Sequence, residues 1–196
     1  MAFDPALIAP DRVRPLRRAE YDRLVAAGLF EDERLELLAG RLVTTSPQGP
    51  PHAELVTRLS ANLLPPLLDR AEVRVRLPFA AGDDSEPEPD LAVVPCGDYL
   101  AGHPERALLV VEVAASSLPK DLALKAAIYE AAAVDEYWVV DLTAPRVVVF
   151  RRGPGGGFVA PTVHGPGEAL APVAFPDVRV ALADLLAGVA GAPRAE

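Results

Sequence analysis

The chain has 196 residues, of which 51% are hydrophobic and 24% charged, a composition that suits one domain with most of the chain folded and excludes a wholly disordered protein. Its apolar runs, such as Ala107 to Val111, are too short for the roughly 20 residues that cross a bilayer, and no basic stretch leads into an apolar one at the start. A net charge of −9 disfavours a nucleic-acid binder unless Arg12, Arg14, Arg17 and Arg18, or Arg70, Arg74 and Arg76, form a local basic patch.

The plain alternative for those arginines is a set of solvated faces. Cys96 is the only cysteine, which excludes an internal disulfide and a cysteine-based zinc site. With no membrane partner and no leader in view, a cytoplasmic location is expected.

Along the chain, residues 1–16 are expected to be a tail, 17–187 a single domain and 188–196 a disordered tail. Tyr21, Leu24 and Val25 have helical spacing, and Gly28 is a favoured terminator, so a helix is expected from Arg18 to Ala27. Leu35 to Leu38 and Arg41 to Val43 flank Ala39-Gly40, which reads as a hairpin. Ser46 to Pro51 is a loop by composition. Leu55, Val56, Leu59, Leu63 and Leu64 predict a helix from His52 to Leu68, ended or kinked by Pro65-Pro66. Alternation over Glu72 to Phe79 predicts a half-exposed strand, followed by a polar loop over Ala81 to Pro89.

Leu91 to Val94 reads as a short strand. Ala107 to Val113 reads as a central strand covered on both faces. A helix is expected over Pro119 to Ala133, with Ser116 or Ser117 as its cap and Pro119 in its first turn. Strands follow at Glu136 to Val140, Arg146 to Arg151 and Phe158 to Thr162, then a helical turn over Val180 to Leu186. The sum is an α/β domain: a mixed β-sheet flanked by helices.

Glu112 interrupts Leu108 to Val113, and a charge in a buried strand is costly unless paired, hydrogen-bonded or metal-bound. The other readings are a strand-end side chain that reaches solvent, or an arginine partner. Asp90 opens the strand after Pro89, where an aspartate is often only a turn residue. Neighbouring strands lie about 4.8 Å apart, so Asp90 and Glu112 on two strands can share a hard cation. Asp121, Lys125 and Tyr129 are four residues apart and share a helix face. Lys125 would stabilise charge on a phosphate or orient a water, or else form a surface pair with Asp121.

His52 opens its helix. There it binds an anion or takes part in acid–base work, or is an ordinary surface residue, the commoner case. Glu36 either faces solvent on an edge hairpin, the slightly favoured reading, or joins the acidic site as an outer member. Gly153 to Gly157 lacks a following Lys-Ser/Thr and reads as a hairpin turn. Ser116-Ser117 lacks a nucleophile-elbow pattern. Tyr137-Trp138 reads as core.

The ordered set Leu35 to Gly40, Ser46-Pro47, His52, Pro89-Asp90, Val111-Glu112-Val113, Ser116, Asp121, Lys125, Tyr129 and Glu136 to Asp141 resembles the Uma2 family, which is similar to PD-(D/E)XK restriction endonucleases. The likeness runs from about Arg17 to Leu186. It implies a restriction-endonuclease-like fold, with Pro89-Asp90 as the PD element and Glu112 as the second acidic residue. The lysine expected two residues after Glu112 is replaced by Ala114. In the family a lysine of the following helix takes its place, here Lys125. Glu36, His52, Asp121 and Tyr129 stand as supporting residues. The implied activity is DNA phosphodiester hydrolysis with Mg²⁺ or Mn²⁺ held by Asp90, Glu112 and the Val113 carbonyl. A homodimer is expected, because cutting two strands takes two sites. The rival readings are a nuclease fold kept for binding alone, which Ala114 and the acidic balance favour, and an oligomerising protein in which Glu112 meets an arginine across subunits.

Overall fold

The protein is represented by a computed structural model that describes residue 11, residues 13–45 and residues 47–189. The outer parts of both expected tails, Arg12 of the first basic group and Ser46 of the expected loop lie outside the described residues.

Helix α1 (Arg18–Ala26) leads to a hairpin of β1 (Leu35–Leu38) and β2 (Arg41–Thr44). Its two-residue turn has Ala39 at φ 48° and Gly40 at φ 72°. Left-handed values at both central positions match the twist of the flanking strands. Helix α2 (Pro50–Leu67) follows. Pro50 and Pro51 suit its first turn, where no N–H donor is needed. Pro65-Pro66 stands at the end of the helix as expected. The pair lies in the final exposed turn, and the helix ends one residue later at Leu67.

Six strands then build the main sheet: β3 (Glu72–Val75), β4 (Leu91–Val94), β5 (Leu109–Ala114), β6 (Glu136–Asp141), β7 (Arg146–Arg151) and β8 (Thr162–His164). They lie side by side in that order. All neighbours are antiparallel except the central β5–β6 pair. A parallel pair needs a crossover. Here it is one continuous helical run: α3 (Leu118–Lys120), a π-helical turn (Asp121–Lys125) and α4 (Ala126–Ala131). Ser117 occupies the cap position without the expected side-chain bond to the backbone. A small pair of β9 (Ala169–Leu170) and β10 (Val180–Ala181) precedes α5 (Leu182–Leu185).

Two other expectations need correction. Strand β3 stops at Val75, because Arg76 turns to φ 54°, although its N–H still donates to Asp90 O across the pair. The strand expected at Phe158 to Thr162 begins only at Thr162, with a lone bridge between Arg152 and Phe158 ahead of it.

The sheet is covered on both faces. Leu109, Val111 and Val113 of β5 pack in one core with Leu55, Leu59 and Leu63 of α2. Val110 and Ala114 pack in the other with Ile128 and Tyr129 of the crossover helix. Burying a leucine side chain contributes about 1.5–3 kcal/mol, so the Leu59, Leu63 and Leu67 stripe alone fixes α2 firmly. A ladder of rings from Phe79 through Tyr129, Tyr137 and Phe150 to Phe158 fills the second core. Trp138 faces the first. Among the described residues no helix is long and apolar enough to cross a membrane.

Candidate active site

The β4–β5 register pairs Leu91 with Val111. One step further along the antiparallel ladder puts Asp90 opposite Glu112. By the strand's alternation Glu112 belongs to the face of Val110 and Ala114, under the crossover helix. It stays buried, at 5% exposure, and among the described residues it pairs with a lysine and a tyrosine rather than an arginine. Lys125 Nζ donates to Glu112 Oε1 at 2.8 Å, and Tyr129 OH donates to the same oxygen at 2.7 Å. The π-helical turn ends at Lys125, so the helix delivers Lys125 and, one α-helical turn later, Tyr129 to one carboxylate.

Lys125 also donates to Glu36 Oε1, at 2.7 Å. The solvent-facing reading of Glu36 is therefore overturned. All four residues of β1 are buried, because the segment after β3 folds over the hairpin. Glu86 N donates to Leu37 O, Gly40 N to Asp84 O and Glu88 N to Glu36 Oε1. Lys125 itself is 3% exposed, so it is not half of a surface pair with Asp121.

Asp90, 3% exposed, is held from two sides. Val113 N donates to its Oδ2 at 2.9 Å, and His52 Nε2 bonds the same oxygen at 2.9 Å. His52 is buried on α2, not a surface residue, and its other ring nitrogen has no hydrogen-bond partner. Gln48, which the sequence reading passed over, donates to Asp90 Oδ1 at 3.3 Å.

Glu36 and Glu112 thus share one ammonium in a buried site, and Asp90, opposite Glu112, brings a third carboxylate to it. Asp121, also buried, adds a fourth acidic group nearby. Burial pushes the Glu112 carboxyl up to about 8, against the pull of Lys125 and with the help of Asp90, Asp121 and Glu36. Burial likewise raises the Asp121 carboxyl, opposed by a bond from Ser117 and by Lys125. Burial alone would lower the Lys125 ammonium, yet Glu112 and Glu36 together lift it above its ordinary value. The site is short of positive charge.

The donor chemistry fits a hard divalent cation. Asp90 Oδ1 and Glu112 Oε2 are the less engaged oxygens of their carboxylates, and Glu36 Oε2 is buried with no hydrogen-bond partner. Among the described residues no set of three His, Cys, Asp or Glu side chains forms a ready metal cage. Magnesium rarely uses one; it takes one or two carboxylates and completes its shell with water and phosphate. Asp90, Val113, Glu112 and Lys125 line a cavity of about 1140 Å³, which leaves room for both.

A protein-family model described as "Putative restriction endonuclease" matches residues 18–183. Among solved structures the chain is similar to a protein from Anabaena variabilis ATCC 29413 titled "putative nuclease", with a TM-score of 0.61 and 15% identity over 88% of this chain and 98% of that one. At that identity the likeness speaks for the shared fold alone. No curated protein matches the sequence. The family match takes in most of the chain, from α1 to α5, and on that extent this protein belongs to the Uma2 family.

Proposed function

We propose that this protein is a divalent-metal-dependent nuclease that hydrolyses phosphodiester bonds of DNA. The observation that carries this reading is the buried Asp90–Glu112 carboxylate pair, short of positive charge, beside Lys125 and open to a cavity. Asp90, Glu112 and the Val113 carbonyl would hold Mg²⁺ or Mn²⁺. When bound, such an ion acidifies a coordinated water and offsets charge on the scissile phosphate.

The chain's own residues supply the rest. His52 and the Val113 amide clamp Asp90 so that its other oxygen stays directed by a fixed carboxylate plane. Tyr129 does the same for Glu112. Lys125 brings the positive charge that steadies a phosphate as negative charge builds on it. Ala114 cannot do this, and Lys125 reaches Glu112 from the helix instead. Glu36 holds the second side of that ammonium and fixes its direction. Cutting both strands of a duplex would take two such sites, and therefore two copies.

The test is cleavage of plasmid and oligonucleotide DNA by purified protein with Mg²⁺ or Mn²⁺. Wild type should cut, and Asp90→Ala or Glu112→Ala should lose at least about a hundredfold in rate. Equal cutting by the variants would rule the reading out. Loss of cutting with retained binding in wild type would favour a fold kept for binding alone, the reading that Ala114 supports.

A further inference from the structure

The same cavity carries cations that the carboxylate site does not use. Of its lining cations, Lys125 is spent on Glu36 and Glu112. Arg58 is spent on Glu54 and on the carbonyls of Asp184, Leu185 and Ala187 at the end of α5. Three others are held loosely. Arg34 lies 3.6 Å from Glu88, Lys120 3.7 Å from Glu36 and Arg76 4.0 Å from Asp90, all beyond hydrogen-bonding distance. Their side chains are 58%, 30% and 33% exposed. They come from three separate parts of the chain, before β1, after β3 and in α3, and they ring one cavity.

Each therefore pairs weakly with a carboxylate and is free to exchange that partner for a phosphate oxygen. Their number is small. A duplex presents one charge every 1.7 Å or so along its axis, and its binders neutralise many phosphates. Beyond the three cations the cavity wall is acidic, with Glu54 and Glu88 among its residues, and the whole chain carries −9. A second strand would add repulsion and find no matching cation. The reacting carboxylates, 3% and 5% exposed, also lie on the cavity floor. A duplex is stiff, with a persistence length near 50 nm, whereas a single strand bends into a recess. Among the described residues no Phe, Tyr or Trp lines the cavity, and its one imidazole, His52, is buried against Asp90, so bases have no exposed ring to stack on.

We propose that Arg34, Arg76 and Lys120 form a three-phosphate clamp that receives a single nucleic-acid strand through its backbone and carries its phosphate to the floor of the cavity. The part of this that concerns delivery to the carboxylates rests on the nuclease reading above; the binding itself does not. A single strand needs one site only, so a second copy is not required.

The test is fluorescence anisotropy of labelled oligonucleotides in a chelator, where cleavage is absent, across a series of salt concentrations. A single-stranded DNA should bind more tightly than its duplex. Its log K against log salt should fall with a slope of about −2, from three phosphates at roughly 0.7 each. Lys120→Gln and Arg34→Gln should each flatten that slope by about 0.7 and weaken binding about fivefold at 0.1 M salt. A single-stranded RNA of the same sequence should bind within a few-fold of the DNA, because the backbone is read. Tighter binding of duplex, or slopes unchanged in both variants, overturns the clamp. Cleavage with Mn²⁺ is scored separately: binding as described without cleavage sinks the nuclease reading and leaves the clamp standing, whereas cleavage of duplex without single-strand binding does the reverse.

Discussion

Lys125 is bonded to two buried carboxylates, so its loss removes the cation that Glu36 and Glu112 share in the protein interior. Breaking a buried ion pair by removing one partner costs about 3–5 kcal/mol. Lys125→Met should therefore lower stability by about that amount in urea unfolding, and adding Glu112→Gln should recover part of the loss. An unchanged midpoint for Lys125→Met would show that the pair is not buried in solution. Glu86 makes a separate prediction away from the cavity. Burial, then Asp22, push its carboxyl up to about 7 from an ordinary 4.5, with Arg18 opposing. His103 lies 3.9 Å away and Glu88 adds its own negative charge. Between pH 4.5 and 7 the folded protein holds this proton more tightly than the unfolded chain does, so Glu86 makes stability fall as pH rises through that range and level off above it. Urea unfolding at a series of pH values should show a shallower fall in Glu86→Gln than in wild type; parallel curves would contradict the assignment. Asp90 and Glu112 were legible from sequence because a carboxylate stood beside or within a wholly apolar strand. Glu36 and His52 were marked only by the family resemblance and not by local pattern, because their burial comes from partners far along the chain: Glu88 and Lys125 for one, Asp90 for the other. Arg76 stood out only as a member of a basic group, and Gln48, Arg34 and Lys120 carry no local pattern that separates them from ordinary surface side chains.

The strands and helices were mostly readable, since apolar period two or 3.6 marks each. What escaped was local backbone geometry. The left-handed Arg76 ended β3 early, and the π-helical turn at Asp121–Lys125 has no signature in the residue pattern. Such single turns concentrate at functional sites. Here the extra residue sets the phase between α3 and α4, and with it the direction of Lys125. Deleting the exposed Ala123 should restore an ordinary α-helical ladder while rotating one side of the turn by about 100°. Helicity by circular dichroism should be kept, while the Lys125–Glu112 contact and DNA cleavage are lost. Full cleavage by the deletion variant would show that the turn is incidental. The segment over Ala81 to Pro89 is a loop as read, and what the residue pattern did not reveal is that it bonds along the β1–β2 hairpin, with Glu86 bridged to Leu37 and Glu88 N bonded to Glu36.

For the molecule as a whole, the mixed sheet flanked by helices was foreseeable from the order of elements, whereas the covering of the hairpin and the small β9–β10 pair were not, since they rest on contacts between distant segments. If the buried carboxylates hold a cation as proposed, its binding adds to the stability of the fold. A ligand at about 100 times its dissociation constant adds about 2.7 kcal/mol to the folded state, which for a domain of this size raises Tm by roughly 5–10 °C. Mn²⁺ should raise Tm by that order in wild type, a chelator should reverse it, and Asp90→Asn should abolish it; an equal rise in the variant would place the cation elsewhere. The central claim, that Asp90 and Glu112 share one divalent cation, is tested most directly by anomalous scattering at the manganese edge from a crystal soaked in Mn²⁺. The expected result is a single strong peak bonded to both carboxylates with Lys125 beside it. A crystal without such a peak, or with manganese bound only at other acidic groups, would contradict the account.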